Sequence, residues 1–234
     1  MTGETAKTEA VCLSIHPWSR TSHIVSWLSR EGRLSTSVKG AVRPKSAFLG
    51  QYDLNYTCEL VYYANSRGGL HALRECAPLE FREGLRGDWR ALLAAAHFRA
   101  VAEALCPQGP EAAEWFSLLC ASLDGLCAGD ALLPSILAFE TAALRLAGLD
   151  PAPEAAAGRF ALRAGRSLAI SPQTAACIAA PFAAKNSDTI LLDAARAIGV
   201  FYSFHLDQPP ATRRAAIRAA TVLLRREAGG KETA

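Results

Sequence analysis

No stretch of this 234-residue chain holds the roughly 18 uninterrupted apolar residues of a membrane span, so no spanning helix is expected. The opening MTGETAKTEA is polar and lacks the apolar run and small-residue cleavage site of a secretory signal, which makes the expected location cytoplasmic. The seven cysteines, at 12, 58, 76, 106, 120, 127 and 177, include no Cys-x-x-Cys pair and are scattered among apolar neighbours. That is the usage of reduced cysteine as a small hydrophobe, and it gives a structural zinc site very little support. Cys120 and Cys127 lie two turns apart on one helix face and match no metal-ligand spacing. Missing too are a phosphate-binding Walker loop, G-x-G-x-x-G, G-x-S-x-G and H-E-x-x-H. The histidines at 16, 23, 71, 97 and 205 are dispersed, with none at ligand spacing to another. No active site assembles from these residues. The chain is expected to be no enzyme and to need no metal or cofactor.

What is there is an apolar half (50% of residues), enough to bury a core without disulfides, and one concentration of positive charge. Residues 30–46, REGRLSTSVKGAVRPKS, set Arg30, Arg33, Lys39, Arg43 and Lys45 against the single acid Glu31. This segment carries more positive charge than the net +3 of the whole chain, so the remainder is slightly acidic. Such a local field attracts a polyanion, of which nucleic acid is the commonest; the plainer alternative is a solvated surface face.

Around that segment, apolar and β-branched runs at 9–15, 22–28, 34–42, 52–63 and 70–76 are punctuated by turn residues, among them Asn65-Ser66-Arg67-Gly68-Gly69. Five short strands without an intervening helical pattern predict a five-stranded OB barrel, a fold that presents basic and aromatic side chains to oligonucleotides. From Pro78 the texture turns to alanine and leucine. The expected fold class is therefore α+β, an OB-fold DNA-binding domain over 1–78 followed by an all-helical domain over 79–234, with an irregular inserted loop at 150–181.

In the second part Asp88 is a candidate cap for a helix with Trp89, Leu92, Leu93, Ala96 and Ala100 apolar, and 111–127 reads as a second helix. Asp130 is a candidate cap for a third that ends at Gly148. Glu140 falls in the middle of that third helix's apolar face, where a carboxylate must be paired. An arginine or a loop N–H is the expected partner. Ser187 or Asp188 caps a helix with Leu191, Ala195, Ile198 and Tyr202 on one side. The final helix, from about Thr212, sets Arg214, Arg218 and Arg225 along one stripe beside Ile217, Ala220 and Leu224. That stripe is either a second anion-binding surface or a solvated side. The tail after Gly229 is expected to be disordered.

The same residues resemble the RecO family of bacterial recombination mediators. The resemblance starts at His16-Pro17-Trp18-Ser19-Arg20-Thr21-Ser22, passes through Ser29-Arg30-Glu31-Gly32-Arg33 and is most specific at Lys39-Gly40-Ala41-Val42-Arg43-Pro44-Lys45-Ser46. Further along, Leu137-Ala138-Phe139-Glu140 and Leu146-Ala147-Gly148-Leu149 fit the family's helical domain, and 202–213 fits its last segment loosely. The resemblance implies an OB barrel and a helical domain that bind single- and double-stranded DNA, anneal complementary strands and help load recombinase onto DNA coated by single-strand-binding protein. It also implies action with RecR, docking of the acidic C-terminal tail of the single-strand-binding protein on the helical domain, and no hydrolysis. A nucleoid-associated location follows from that role.

The chain departs from the family in three places. Where many members carry two Cys-x-x-Cys pairs binding zinc, residues 150–181 keep only Cys177 and read as a degenerate former zinc-site region. Arg20 replaces the usual glutamate, and Leu137 and Ala138 stand where some members have basic residues that grip the tail.

The site expected from all this is Trp18, Arg20, Arg33, Lys39, Arg43, Lys45 and Ser46 on DNA, with Arg214, Arg218 and Arg225 as a secondary basic surface. Arg33, Lys39, Arg43 and Lys45 would neutralise phosphates while Trp18 or Trp27 stacks on bases, unless Trp27 packs in the barrel core. Two other readings stay open. One is a protein–protein adaptor whose helical domain docks acidic tails, and the other is a nuclease without a recognisable motif.

Overall fold

A computed structural model describes residues 4–109, 111–161, 165–206 and 208–229, with the backbone alone for 223–229. Five strands, β1 (Thr5–Pro17), β2 (His23–Ser29), β3 (Gly32–Val38), β4 (Thr57–Tyr63) and β5 (Leu70–Glu80), close into a barrel in the order β1-β2-β3-β5-β4. All neighbours are antiparallel except β3 and β5, which run parallel. This is the five-stranded OB architecture with helices following it, as the turn spacing predicts. β1 and β5 are longer than expected, starting at Thr5 rather than 9 and ending at Glu80 rather than 76, while two strands are cut short: β3 stops at Val38 rather than 42, and β4 starts at Thr57 rather than 52. The reason for the shortening is local. Residues 40–56 close on themselves in consecutive turns, with Arg43 N–H on Gly40 O, Ser46 on Arg43, Leu49 on Ser46, Gln51 on Phe48 and Tyr56 on Asp53. Backbone donors spent that way are not available to a ladder.

Val25, Trp27, Val38, Tyr56, Cys58 and Leu60 are at the centre of the barrel. Trp27 is fully buried, and its indole N–H donates to the equally buried Thr36 hydroxyl at 2.9 Å. It is a core residue, which removes it from any base-stacking role. A bulge at Leu13 bends β1, and there Cys12 exchanges backbone bonds with Asn55 and Tyr56 (3.2 and 2.9 Å), stitching the end of the β3–β4 loop to the barrel wall.

The helices are α1 (Trp89–Leu105), α2 (Ala112–Ala128), α3 (Leu132–Leu146), α4 (Ala152–Ala156), α5 (Pro172–Ala179), α6 (Asp188–His205) and α7 (Arg213–Gly229). A two-stranded hairpin, β6 (Arg159–Ala161) with β7 (Ser167–Ala169), lies between α4 and α5, so the irregular insert contains two short helices as well as the hairpin. The chain forms two compact units, 1–83 with 105–123, and 84–104 with 124–234. In the first, the Arg30 guanidinium lies 4.6 Å over the Phe116 ring. In the second, Phe98 of α1 stacks on Phe139 of α3 at 4.2 Å, and Phe160 of β6 meets Phe201 of α6 edge-on.

Two helix readings are corrected. Trp89 and Leu92 are exposed (59% and 37%), because the buried stripe of α1 runs through Ala91, Ala94, Ala95, Phe98, Val101 and Ala102. Small alanines outcompete the larger side chains there, since they let neighbouring elements approach closely. Asp130 does not cap α3: Ala131 holds the N-cap position without a side-chain bond, and the Asp130 N–H closes the preceding helix on Gly125 O. At the other end Gly148 does what the sequence predicts. Its φ of +75° permits the paired bonds Gly148 N–H to Arg145 O and Leu149 N–H to Leu144 O.

Candidate nucleic-acid interface

The register of the first three strands decides which of the basic residues meet. Pro17 pairs with His23 and His23 with Val38, so the β1–β2 turn (18–22) and the β3–β4 loop (39–56) leave the barrel at one edge. Ser29 pairs with Gly32 at the far end of the same strands. Seven residues of β3, about 20 Å of extended chain, therefore divide the basic segment in two. Arg30 lies at the far end, over Phe116 and with its guanidinium donating to the Ser117 hydroxyl at 3.3 Å. Arg33 is half-buried there, and its charge pulls on the Cys106 thiol, which burial nevertheless pushes up to about 11.

At the near end the two loops are tied together. Val42 N–H reaches Thr21 O at 3.4 Å, and Gly40 N–H reaches the Ser22 hydroxyl at 3.3 Å. This brings Trp18 and Arg20 from one loop beside Lys39, Arg43 and Lys45 from the other. All five are exposed, Trp18 at 71%, and among the described residues no ion pair engages the four cations. Ser46 is half-buried, with its hydroxyl accepting from Phe48 N–H. Gly40 makes the loop possible: its φ is +68°, and a Cβ added there would meet Arg43 Cδ at 3.2 Å. The arginine stem thus lies over the glycine, which gives the Lys-Gly-Ala-x-Arg pattern a physical basis.

Behind the cations, Tyr52 anchors the loop by its hydroxyl on His23 Nδ1 (2.8 Å) and its ring edge on Trp27. Burial raises the Tyr52 pKa, so this anchor is a neutral phenol at physiological pH. Exposed Val42, Leu49 and Leu54 share these loops with Trp18. Four unpaired cations beside an indole and aliphatic side chains can neutralise phosphates and cover the face of an unstacked base.

Of the α7 arginines, Arg214 and Arg218 are exposed, and the side chain of Arg225 lies outside the described residues. The preceding Arg213 points inward and holds Glu140. Cys177 is fully buried on α5, where burial raises its thiol pKa, and it serves as core. Among the described residues no group of three or more His, Cys, Asp or Glu is arranged to hold a metal ion, and no helix is long and apolar enough to cross a membrane.

Sequence reasoning missed His97, whose Nε2 meets Glu140 at 2.8 Å, because it lies on a different helix from its partner and no spacing rule connects the two. It also missed Trp89 as a surface residue. The alternative phase of α1, a stripe of alanines closed by Phe98, was the signal available for that.

Comparison with known families gives matches over both parts of the chain. Residues 1–82 match the family model described as Recombination protein O N terminal, and residues 86–214 match Recombination protein O C terminal. A search of curated proteins finds no match.

Proposed function

The chain belongs to the recombination protein O family, which places it in DNA repair and recombination, and on that premise we propose that it is a strand-annealing mediator. It binds single- and double-stranded DNA at the barrel end formed by Trp18, Arg20, Lys39, Arg43 and Lys45. It anneals complementary strands there and helps load recombinase onto DNA coated by single-strand-binding protein. The observation that carries this reading is the joining of the two barrel loops by Val42–Thr21 and Gly40–Ser22, which gathers four unpaired cations around an exposed indole.

Annealing requires that two polyanions approach and that any sequence be accepted. Backbone neutralisation meets both needs, and an indole face accepts every base. No covalent step is involved, and the chain works without catalysis or cofactor, in the cytoplasm at the nucleoid. Arg33, half-buried at the other end of β3, contributes to the field of the barrel rather than to phosphate contact.

The partners of this reading are RecR and the acidic C-terminal tail of the single-strand-binding protein. Leu137 is fully buried and Ala138 half-buried, so the tail's carboxylates are met by arginines elsewhere in the helical unit. Charge reversal at Arg43 and Lys45 separates mediator from adaptor. A mediator loses the strand held at the barrel end in Arg43→Glu/Lys45→Glu, measured by fluorescence anisotropy as weakened oligonucleotide binding. An adaptor keeps whatever DNA affinity the wild type has and loses partner binding alone.

A further inference from the structure

Turning Arg213 inward fixes the phase of α7. Arg214, the next residue, and Arg218, one turn on, are then exposed, and neither guanidinium has a hydrogen-bond or ion-pair partner among the described residues. Beside them runs an open groove of about 530 Å³, floored by Leu93, Ala215, Ala219 and Val222 and edged by Trp89. Trp89 opens α1 and is 59% exposed. The same two arginines line a second hollow, of about 880 Å³, on the other flank of α7. At i and i+4 their Cβ atoms are about 6 Å apart, a spacing suited to neighbouring phosphates of one extended strand.

The chemistry of the groove decides between a strand and a peptide. An extended peptide needs partners for its backbone N–H and C=O groups, and the groove beside Trp89 offers donors, the indole N–H and two guanidiniums, but among the described residues no side-chain acceptor for the peptide N–H groups. Thr221, on the far flank, already donates its hydroxyl to Arg218 O. A nucleotide makes no such demand. Its phosphate needs a cation, and its base needs an apolar or aromatic face. Alanines at 211, 215 and 219 keep the floor low, so a planar base has room to lie against the indole.

We infer that the groove between α1 and α7 is a second site for single-stranded nucleic acid, with Trp89 under a base and Arg214 and Arg218 on flanking phosphates. The inference rests on the annealing reading. Annealing holds two strands at once, and a second site holds the second strand while the barrel end holds the first.

The test titrates the full chain at low salt with a fluorescein-labelled oligothymidylate of about 12 nucleotides, within the site sizes of single-strand binders. Folding is checked by circular dichroism. The wild type binds two strands per chain; Trp89→Ala and Arg214→Gln/Arg218→Gln each bind one and anneal complementary oligonucleotides about tenfold more slowly, the loss expected from one stacked base. Two strands bound by both groove variants overturn the inference. So does an unchanged strand count together with lost binding of a labelled synthetic peptide of aspartates ending in phenylalanine, which makes the groove a peptide site. A wild type that binds one strand also overturns it. In that case loss of the strand in Arg43→Glu/Lys45→Glu keeps the barrel reading, and loss in the groove variants instead removes it.

Discussion

Arg213 forks onto Glu140, Nε to Oε1 at 2.6 Å and Nη2 to Oε2 at 2.9 Å, while His97 donates from Nε2 to the same Oε1 at 2.8 Å. A carboxylate only accepts, so a proton lies on Nε2, and Nδ1 meets the Thr212 hydroxyl at 3.1 Å. Glu140 is fully buried. The cluster joins α1, α3 and the start of α7, and it is structural: it sets which face of α7 reaches solvent.

Breaking one member leaves the others buried and unpaired. Arg213→Met is expected to destabilise the helical unit by about 3 kcal/mol, read from the urea transition. Arg213→Met/Glu140→Leu, which removes both charges, is expected to recover part of that loss. A double variant no more stable than the single would contradict the assignment.

The same cluster predicts an acid response. Burial raises the Glu140 pKa, but the Arg213 charge and the hydrogen bonds and charge of His97 and Arg213 outweigh it, and the net shift is down from the ordinary 4.5. A carboxylate whose folded pKa is depressed binds its proton more readily when unfolded. Its stabilisation is therefore complete above 4.5 and is lost as pH falls through the lower folded value. Melting temperature should drop more steeply below pH 4.5 in the wild type than in Glu140→Gln. Parallel curves would show that Glu140 is not the titrating group.

The two barrel tryptophans should behave oppositely. Trp18→Ala leaves the melting temperature unchanged and weakens single-strand affinity about fivefold to tenfold, because an exposed stacking face is lost. Trp27→Phe lowers stability by about 1 kcal/mol through the lost bond to Thr36 and leaves affinity unchanged. Tryptophan-specific quenching on adding oligothymidylate assigns each residue.

Much of this was legible in the sequence, for identifiable reasons. Strand spacing, Asn65–Gly69 and the shift to alanine and leucine after Pro78 predict the barrel and the helices, since turn chemistry and hydrophobic period are local properties. Glu140's need for a partner was visible too, because a carboxylate on an apolar face is costly wherever it occurs. Its partners were not, since Arg213 and His97 are distant in sequence. The segment 30–46 also looks like one basic patch until the register of β2 and β3 sends Arg30 and Arg33 to the opposite end from Lys39, Arg43 and Lys45. Sequence proximity along a strand does not imply a shared surface.

That division is testable by salt dependence. With four phosphates engaged by Arg20, Lys39, Arg43 and Lys45, the logarithm of single-strand affinity should fall against log salt with a slope of roughly −3. Lys39→Gln or Arg43→Gln should reduce the slope by about 0.7 each, and Arg33→Gln should leave it unchanged.

The most direct measurement is annealing of two complementary labelled oligonucleotides by the wild type and by folded Arg43→Glu/Lys45→Glu across a salt series. The account predicts annealing by the wild type that declines steeply with salt, and none by the variant. Equal annealing by the two proteins would contradict it and move the DNA site off the barrel end.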